Sequence, residues 1–161
     1  MALSKEQEKW LKETTYGFSL KSVPEELSTE EFLLEAVRKF GDALEYIPDA
    51  LKTEAVCLAA VQENGWALQY VPEALRTEAV CLAAMQKDGW ALQCVPEAQK
   101  TEAVCLAAVQ TNGWALRYVP EALKTEALCL TAVKNMRNAL DAKYMLEYVP
   151  EALRDKVQAA R

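Results

Sequence analysis

The chain has 161 residues, 52% of them apolar and 26% charged, with a net charge of −6 and no histidine. Its length and apolar share exclude a disordered tail and allow one domain with a core. The acidic balance argues against gripping a nucleic-acid backbone; the missing histidine removes the commonest general base, the usual triads and most zinc sites.

In chain order, the start "MALSKEQEKW" has no basic stretch followed by an apolar run, so no secretory signal is expected. The segment "SKEQEKWLKETTYGFSLKSV" (4–23) places Gly17, Leu20 and Val23 where Gly41, Leu44 and Ile47 recur later. It reads as a polar version of the second half of a repeat, and residues 1–22 as an N-terminal cap.

Beyond it the punctuation residues set a frame. Gly17, Gly41, Gly65, Gly89 and Gly113 are 24 residues apart, as are Pro24, Pro48, Pro72, Pro96 and Pro120; Pro150 follows after 30. The frame predicts repeats at 23–46, 47–70, 71–94, 95–118 and 119–148, then a C-terminal cap at 149–161. In 47–70, Thr53 is a good N-cap and Glu54 suits the helix dipole. "EAVCLAAVQE" predicts a helix, and Asn64-Gly65 a stop through a left-handed glycine. "WALQYV" predicts a second, short helix ending before Pro72, and "PEAL" one further turn. The fold class is thus all-α, an α-solenoid of short helix-turn-helix repeats forming a single domain. A first helix that is apolar from Ala55 to Val61 is expected to be buried on all sides. Leu58, Val61, Leu68 and Leu75 are the expected core anchors, with Trp66 beside them. The fifth unit is six residues longer, carries "NMRNALDAKYM" (135–145) and lacks the glycine, so its first helix is expected to continue by more than a turn.

The unit resembles the bacterial repeat family catalogued as domain of unknown function 4116, whose flavour is "EVVLAAV", an N-G turn, "AL-x-Y" and an acidic "EEL". The matching stretch here is "EAVCLAAVQENGWALQYVPEAL", and the resemblance covers about residues 23–153. It implies the fold more than any activity. This chain departs from the pattern in its tryptophans, its cysteines and the longer fifth unit.

Cys57, Cys81, Cys105 and Cys129 invite a metal or redox reading. Stacked units place them one per layer, roughly 10 Å apart, too far for one ion or a disulfide. They read as small core residues and free thiols of a reducing, cytoplasmic compartment. Cys94 occupies the slot of Tyr46, Tyr70, Tyr118 and Tyr148, where reactivity and a simple size change are both open. Trp66, Trp90 and Trp114, with Tyr144 in the corresponding slot, form a ladder that is either an inter-repeat spine or an exposed aromatic platform.

Charges recur too. Glu25, Asp49, Glu73, Glu97, Glu121 and Glu151 form one acidic row, Glu30, Glu54, Glu78, Glu102 and Glu126 another, with Lys52, Arg76, Lys100, Lys124 and Arg154 alongside. These are a solvated face with local ion pairs, or an acidic stripe for a basic partner. Identical repeats do not give two carboxylates the distinct environments that acid–base catalysis needs. The variable positions Glu63, Lys87 and Thr111, and Gln69, Gln93 and Arg117, are where specificity would reside. Met136, Arg137, Leu140 and Tyr144 form either a contact patch or a plain cap.

The expected function is therefore non-catalytic protein binding through Glu73, Glu97, Glu121 and these variable or fifth-unit positions. No catalytic residue, metal or cofactor is expected, and the partner is a protein with a basic surface rather than nucleic acid or a membrane. The alternative is a small acidic inhibitor, of phage or mobile-element type, that blocks the basic channel of a nuclease; a third is a thiol-based redox sensor. The oligomeric state stays open.

Overall fold

The computed structural model describes residues 3–13, 17–136 and 139–160. These contain α1 (Lys5–Glu13), α2 (Glu30–Lys39), α3 (Glu54–Glu63), α4 (Glu78–Lys87), α5 (Glu102–Thr111), α6 (Glu126–Lys134), α7 (Ala139–Met145) and α8 (Glu151–Ala159), and no strand. Six-residue 3₁₀ helices follow α2 to α5, at Gly41–Tyr46, Gly65–Tyr70, Gly89–Cys94 and Gly113–Tyr118. Single 3₁₀ turns such as Glu73–Leu75 lead into the next α-helix.

Each unit is assembled by local chemistry. The Thr53 hydroxyl accepts the Val56 N–H and starts α3, as Thr29, Thr77, Thr101 and Thr125 do for α2, α4, α5 and α6. Asn64 ends α3 in an extended conformation (φ −138°, ψ 109°), and its side-chain oxygen accepts the Trp66 N–H at 3.0 Å. Only six residues then remain before Val71, held extended by Pro72. A short run of that kind suits the tighter 3₁₀ helix.

The glycine does not close α3 through a left-handed conformation: no described glycine has positive φ. Its reason lies in the next layer. A Cβ on Gly65 would sit 2.7 Å from the Ala84 carbonyl oxygen and 3.1 Å from the Asp88 Cβ. Glycine is needed so that the 3₁₀ helix of one unit can lie against the end of the next α-helix.

The α-helices α2 to α6 stack side by side in one row and the 3₁₀ helices in a second, with α3, α4 and α5 each touching the 3₁₀ helix before it and the one after it. Between the rows lies a repeated core, fully buried in the second unit (47–70) at Val56, Cys57, Ala60, Val61, Ala67 and Leu68. Of the expected anchors, Val61 and Leu68 belong to it, whereas Leu58, Leu75 and Trp66 are half-buried. Nor is α3 buried all round. Ala55 and Gln62 are exposed and Leu58 and Ala59 half-exposed, and residues at this spacing share one helix face. Among the described residues no second row covers that face, and Leu34, Leu58, Leu82, Leu106 and Leu130 form a half-exposed ridge.

The fifth unit corrects a second expectation. Its first helix does not lengthen; α6 stops at Lys134, and the insertion supplies a separate helix, α7. The Ala132 carbonyl lies over Gly113 just as the Ala84 carbonyl lies over Gly65. That packing holds the end of α6 at the common height and displaces the extra residues past it. At the N-terminus, α1 adds a helix to what reads as half a unit. Ser4 and Gln7 cap it reciprocally, and the Gln7 amide donates to the Leu27 carbonyl at 2.8 Å and the Thr29 hydroxyl at 2.9 Å. At the other end α8 packs against α6 and buries Val157.

Candidate interaction surfaces

The first surface is the edge formed by the single turns before each α-helix. Asp49, Glu73, Glu97 and Glu121 each open such a turn, one per layer, and all are exposed. The cations three residues on are not a solvated row. The side chains of Lys52, Lys100 and Lys124 are only 8%, 13% and 10% exposed, and their ammonium groups pair with Asp49, Glu97 and Glu121 at 2.8–2.9 Å. Lys52 also donates to the Tyr70 carbonyl at 2.9 Å, at the end of its unit's 3₁₀ helix. Arg76 donates to three carbonyls, of Val71 at 2.9 Å, Cys94 at 3.0 Å and Gln69 at 3.3 Å. Lys52 and Arg76 thus satisfy orphan carbonyls at 3₁₀ ends, and Arg76 joins its unit to the preceding one through Gln69. The second acidic row is also engaged: the hydroxyls of Thr53, Thr77 and Thr101 donate to Glu30, Glu54 and Glu78 of the preceding helix at 2.6, 3.3 and 2.8 Å.

The second surface lies at the opposite ends of the same ten-residue helices, about 15 Å away. Glu63, Lys87 and Thr111 are the exposed last residues of α3, α4 and α5. Beside them run the half-buried tryptophans. The Trp66 indole N–H donates to Asp88 of the next layer at 2.8 Å. The residues that follow in the frame are Asn112 and Met136, and among the described residues the indoles of Trp90 and Trp114 have no such bond. A cavity of about 380 Å³ opens here, lined by Trp90, Asn112, Trp114, Asn135, Met136 and Asp141 among others. Trp90 meets Tyr118 edge-to-face at 6.1 Å, and Arg117 covers the Tyr118 and Tyr148 rings at 5.2 and 5.8 Å. The spine is thus tied across layers at Trp66, and it changes character from Trp90 on.

The residues singled out from the sequence fall into separate places rather than one site. Glu73, Glu97 and Glu121 share the acidic edge; Glu63, Lys87 and Thr111 share the far edge. Met136 lines the cavity, and Leu140 and Tyr144 are 58% and 52% exposed on α7. Arg137 lies outside the described residues. The sequence reading missed the inward-turned cations, whose carbonyl partners lie up to 18 residues away, and the cavity at the Trp90–Trp114 step.

Cys57, Cys81, Cys105 and Cys129 are buried free thiols and Cys94 is a half-buried one. Burial pushes the Cys57 and Cys105 thiols up to about 11, and raises Cys81, Cys94 and Cys129 too, against the lowering effect of a neighbouring Lys or Arg. For Cys94 burial outweighs Arg76, so the thiol form is favoured over the reactive thiolate. Among the described residues no group of His, Cys, Asp or Glu is placed to hold a metal, and no helix is long and apolar enough to cross a membrane.

The family model described as "Domain of unknown function (DUF4116)" matches residues 14–52 and 54–100, more than half of the chain. No curated protein and no solved structure matches it.

Proposed function

This chain belongs to the DUF4116 family of domains of unknown function, and for it we propose a non-catalytic role: it binds another protein, one with a basic surface, through its acidic edge. The observation that carries this reading is the arrangement of charge. Carboxylates at Asp49, Glu97 and Glu121 are 81%, 71% and 70% exposed, while the lysines that pair with them are turned inward, Lys52 onto the Tyr70 carbonyl. A partner approaching this edge meets oxygen, with the cations behind it. The repeat fixes the carboxylates in register at one per layer, which favours a rigid partner with similarly spaced Lys or Arg. Every layer offers nearly the same environment, so no pair is differentiated into acid and base.

The test is an affinity comparison on immobilised protein. The wild type and the E73Q/E97Q/E121Q variant are exposed to lysate of the host cell, and the retained proteins are identified. A protein held by the wild type, released at about 0.5 M salt and lost by the variant supports the reading. An identical retained set for both chains overturns it.

A further inference from the structure

The regular layers consume their own polar groups, and the Trp90–Trp114 step does not. Trp66 spends its indole N–H on Asp88. In the next frame Asn112 stands where Asp88 stood, and its side-chain oxygen is already taken by the Trp114 backbone N–H. One frame further stands Met136, a thioether with little capacity to accept. Two indole donors one layer apart therefore make no hydrogen bond to the described residues. Their rings line the same cavity of about 380 Å³. Indole N–H groups in partly buried places normally find acceptors.

The spacing says what kind of acceptor fits. Adjacent packed layers are roughly 8–10 Å apart. A polyproline II strand turns once in three residues at about 3.1 Å per residue, so every third carbonyl returns to the same side after about 9 Å. Such a strand has no internal hydrogen bonds and offers its carbonyls to any donor. Aromatic-lined grooves accept its ring edges. Trp90 is braced for this by Tyr118, whose ring Arg117 also contacts.

We propose that the cavity between Trp90 and Trp114 is a binding site for a proline-rich segment of a partner protein in the polyproline II conformation. Carbonyls one turn apart accept from the two indole N–H groups, and the proline rings pack on the indole and Met136 surfaces. The contacts proposed are uncharged, Asp141 being the one carboxylate in the cavity's described lining, and the site lies at the far ends of the helices from the acidic edge, so it stands or falls separately from the reading above.

The test uses the whole chain labelled with ¹⁵N. Its four tryptophans give four indole signals, assigned with single Trp→Phe variants. The probe is an uncharged, end-blocked peptide of four Ala-Pro-Pro triplets, with four Ala-Gly-Ser triplets as control. Saturable shifts of the Trp90 and Trp114 signals with the first peptide, a quiet Trp66 signal, and binding that persists at about 0.5 M salt are expected. Trp114→Phe keeps a ring and removes a donor, and should weaken binding about tenfold, with Trp66→Phe binding as the wild type does. Circular dichroism melts show that each variant is folded. No shift above about 1 mM peptide, equal shifts with the control peptide, or unchanged affinity in both Trp90→Phe and Trp114→Phe would overturn the proposal.

Discussion

The middle layers and the fifth unit are built from almost the same text and end up with different chemistry. In the middle, each layer is completed by the next. Gly65 makes room for the next layer and Trp66 reaches its aspartate, while Thr77 and Arg76 of that layer bond back to Glu54 and to the Gln69 carbonyl. In the fifth unit these uses lapse. No glycine is present, Met136 replaces the aspartate, and the extra residues fold as α7 with Leu140 and Tyr144 outward. The difference teaches that in a stacked array the interior is where sequence is spent on cohesion. Groups become available for recognition where the stack stops being regular.

The largest expected effect tests that claim at the glycine. Gly65→Ala puts a methyl 2.7 Å from the Ala84 carbonyl oxygen, and neither backbone can retreat without opening the layers. A loss of about 3 kcal/mol is expected, or roughly 10 °C in thermal midpoint for a chain of this size. The matching slot in the fifth unit is Lys143, which is exposed on α7; Lys143→Ala should change the melt by less than about 0.5 kcal/mol. Equal effects at the two positions would break the comparison.

Next comes the cation. Arg76→Ala removes three bonds to carbonyls, one of them, to Gln69, in the preceding unit. About 2 kcal/mol is expected, as each carbonyl at a helix end loses a charged donor. Arg154, at the end of the array, donates to the Val149 carbonyl at 3.1 Å, and Arg154→Ala should cost about 1 kcal/mol. Urea midpoints of the two variants measure the difference. An Arg154 loss as large as the Arg76 loss would mean that these cations act within a unit rather than between units.

Much of this architecture was legible in the sequence, for a definite reason. A 24-residue frame of Gly and Pro, with Thr before each helix, encodes elements through local rules, and local rules are readable one residue at a time. What could not be read depends on neighbours in space. The glycine suggested a left-handed stop, because its true constraint is a carbonyl in the next layer. Lys52 and Arg76 looked like surface charge, because the carbonyls they cap are 18 residues away. The leucine ridge looked buried, because composition cannot say which side of a helix lacks a covering row. The acidic edge was readable from the period alone. The cavity was hidden by treating the tryptophans as one ladder; the progression Asp88, Asn112, Met136 in the frame was the available signal.

The buried thiols make a pH-dependent version of the comparison. Cys57 and Cys105, in regular layers, are raised by burial to about 11 from an ordinary value of 9.0. A thiol that resists ionising in the fold ionises first in the unfolded chain. Its contribution is therefore fully present below about pH 9 and is lost as pH climbs toward 11. Urea midpoints should fall across that window, and the Cys57→Ala/Cys105→Ala chain, though less stable at pH 7, should show a shallower fall. At pH 8 a thiol reagent should react slowly with the native chain and promptly with all five cysteines in denaturant. Rapid native reaction of Cys57 or Cys105 would contradict the burial.

The smallest effect contrasts the two ends of the tyrosine row. At the C-terminal end Arg117 covers Tyr118 and Tyr148; at the N-terminal end Lys21 covers Tyr46 at 4.7 Å, and the Glu45 carboxylate serves both Tyr46 and Tyr70. Both of those phenols are raised above the ordinary 10.0, by desolvation first and then by hydrogen bonding to Glu45 and its negative charge. Glu45→Gln removes the charge and keeps the shape. The ionisation of Tyr46 and Tyr70, followed by absorbance from pH 9 to 12, should move down toward the ordinary value. Desolvation remains, so the return is partial, and little change in thermal midpoint is expected because the site is at the surface. An unmoved titration would show that burial sets these phenols without help from the Glu45 charge.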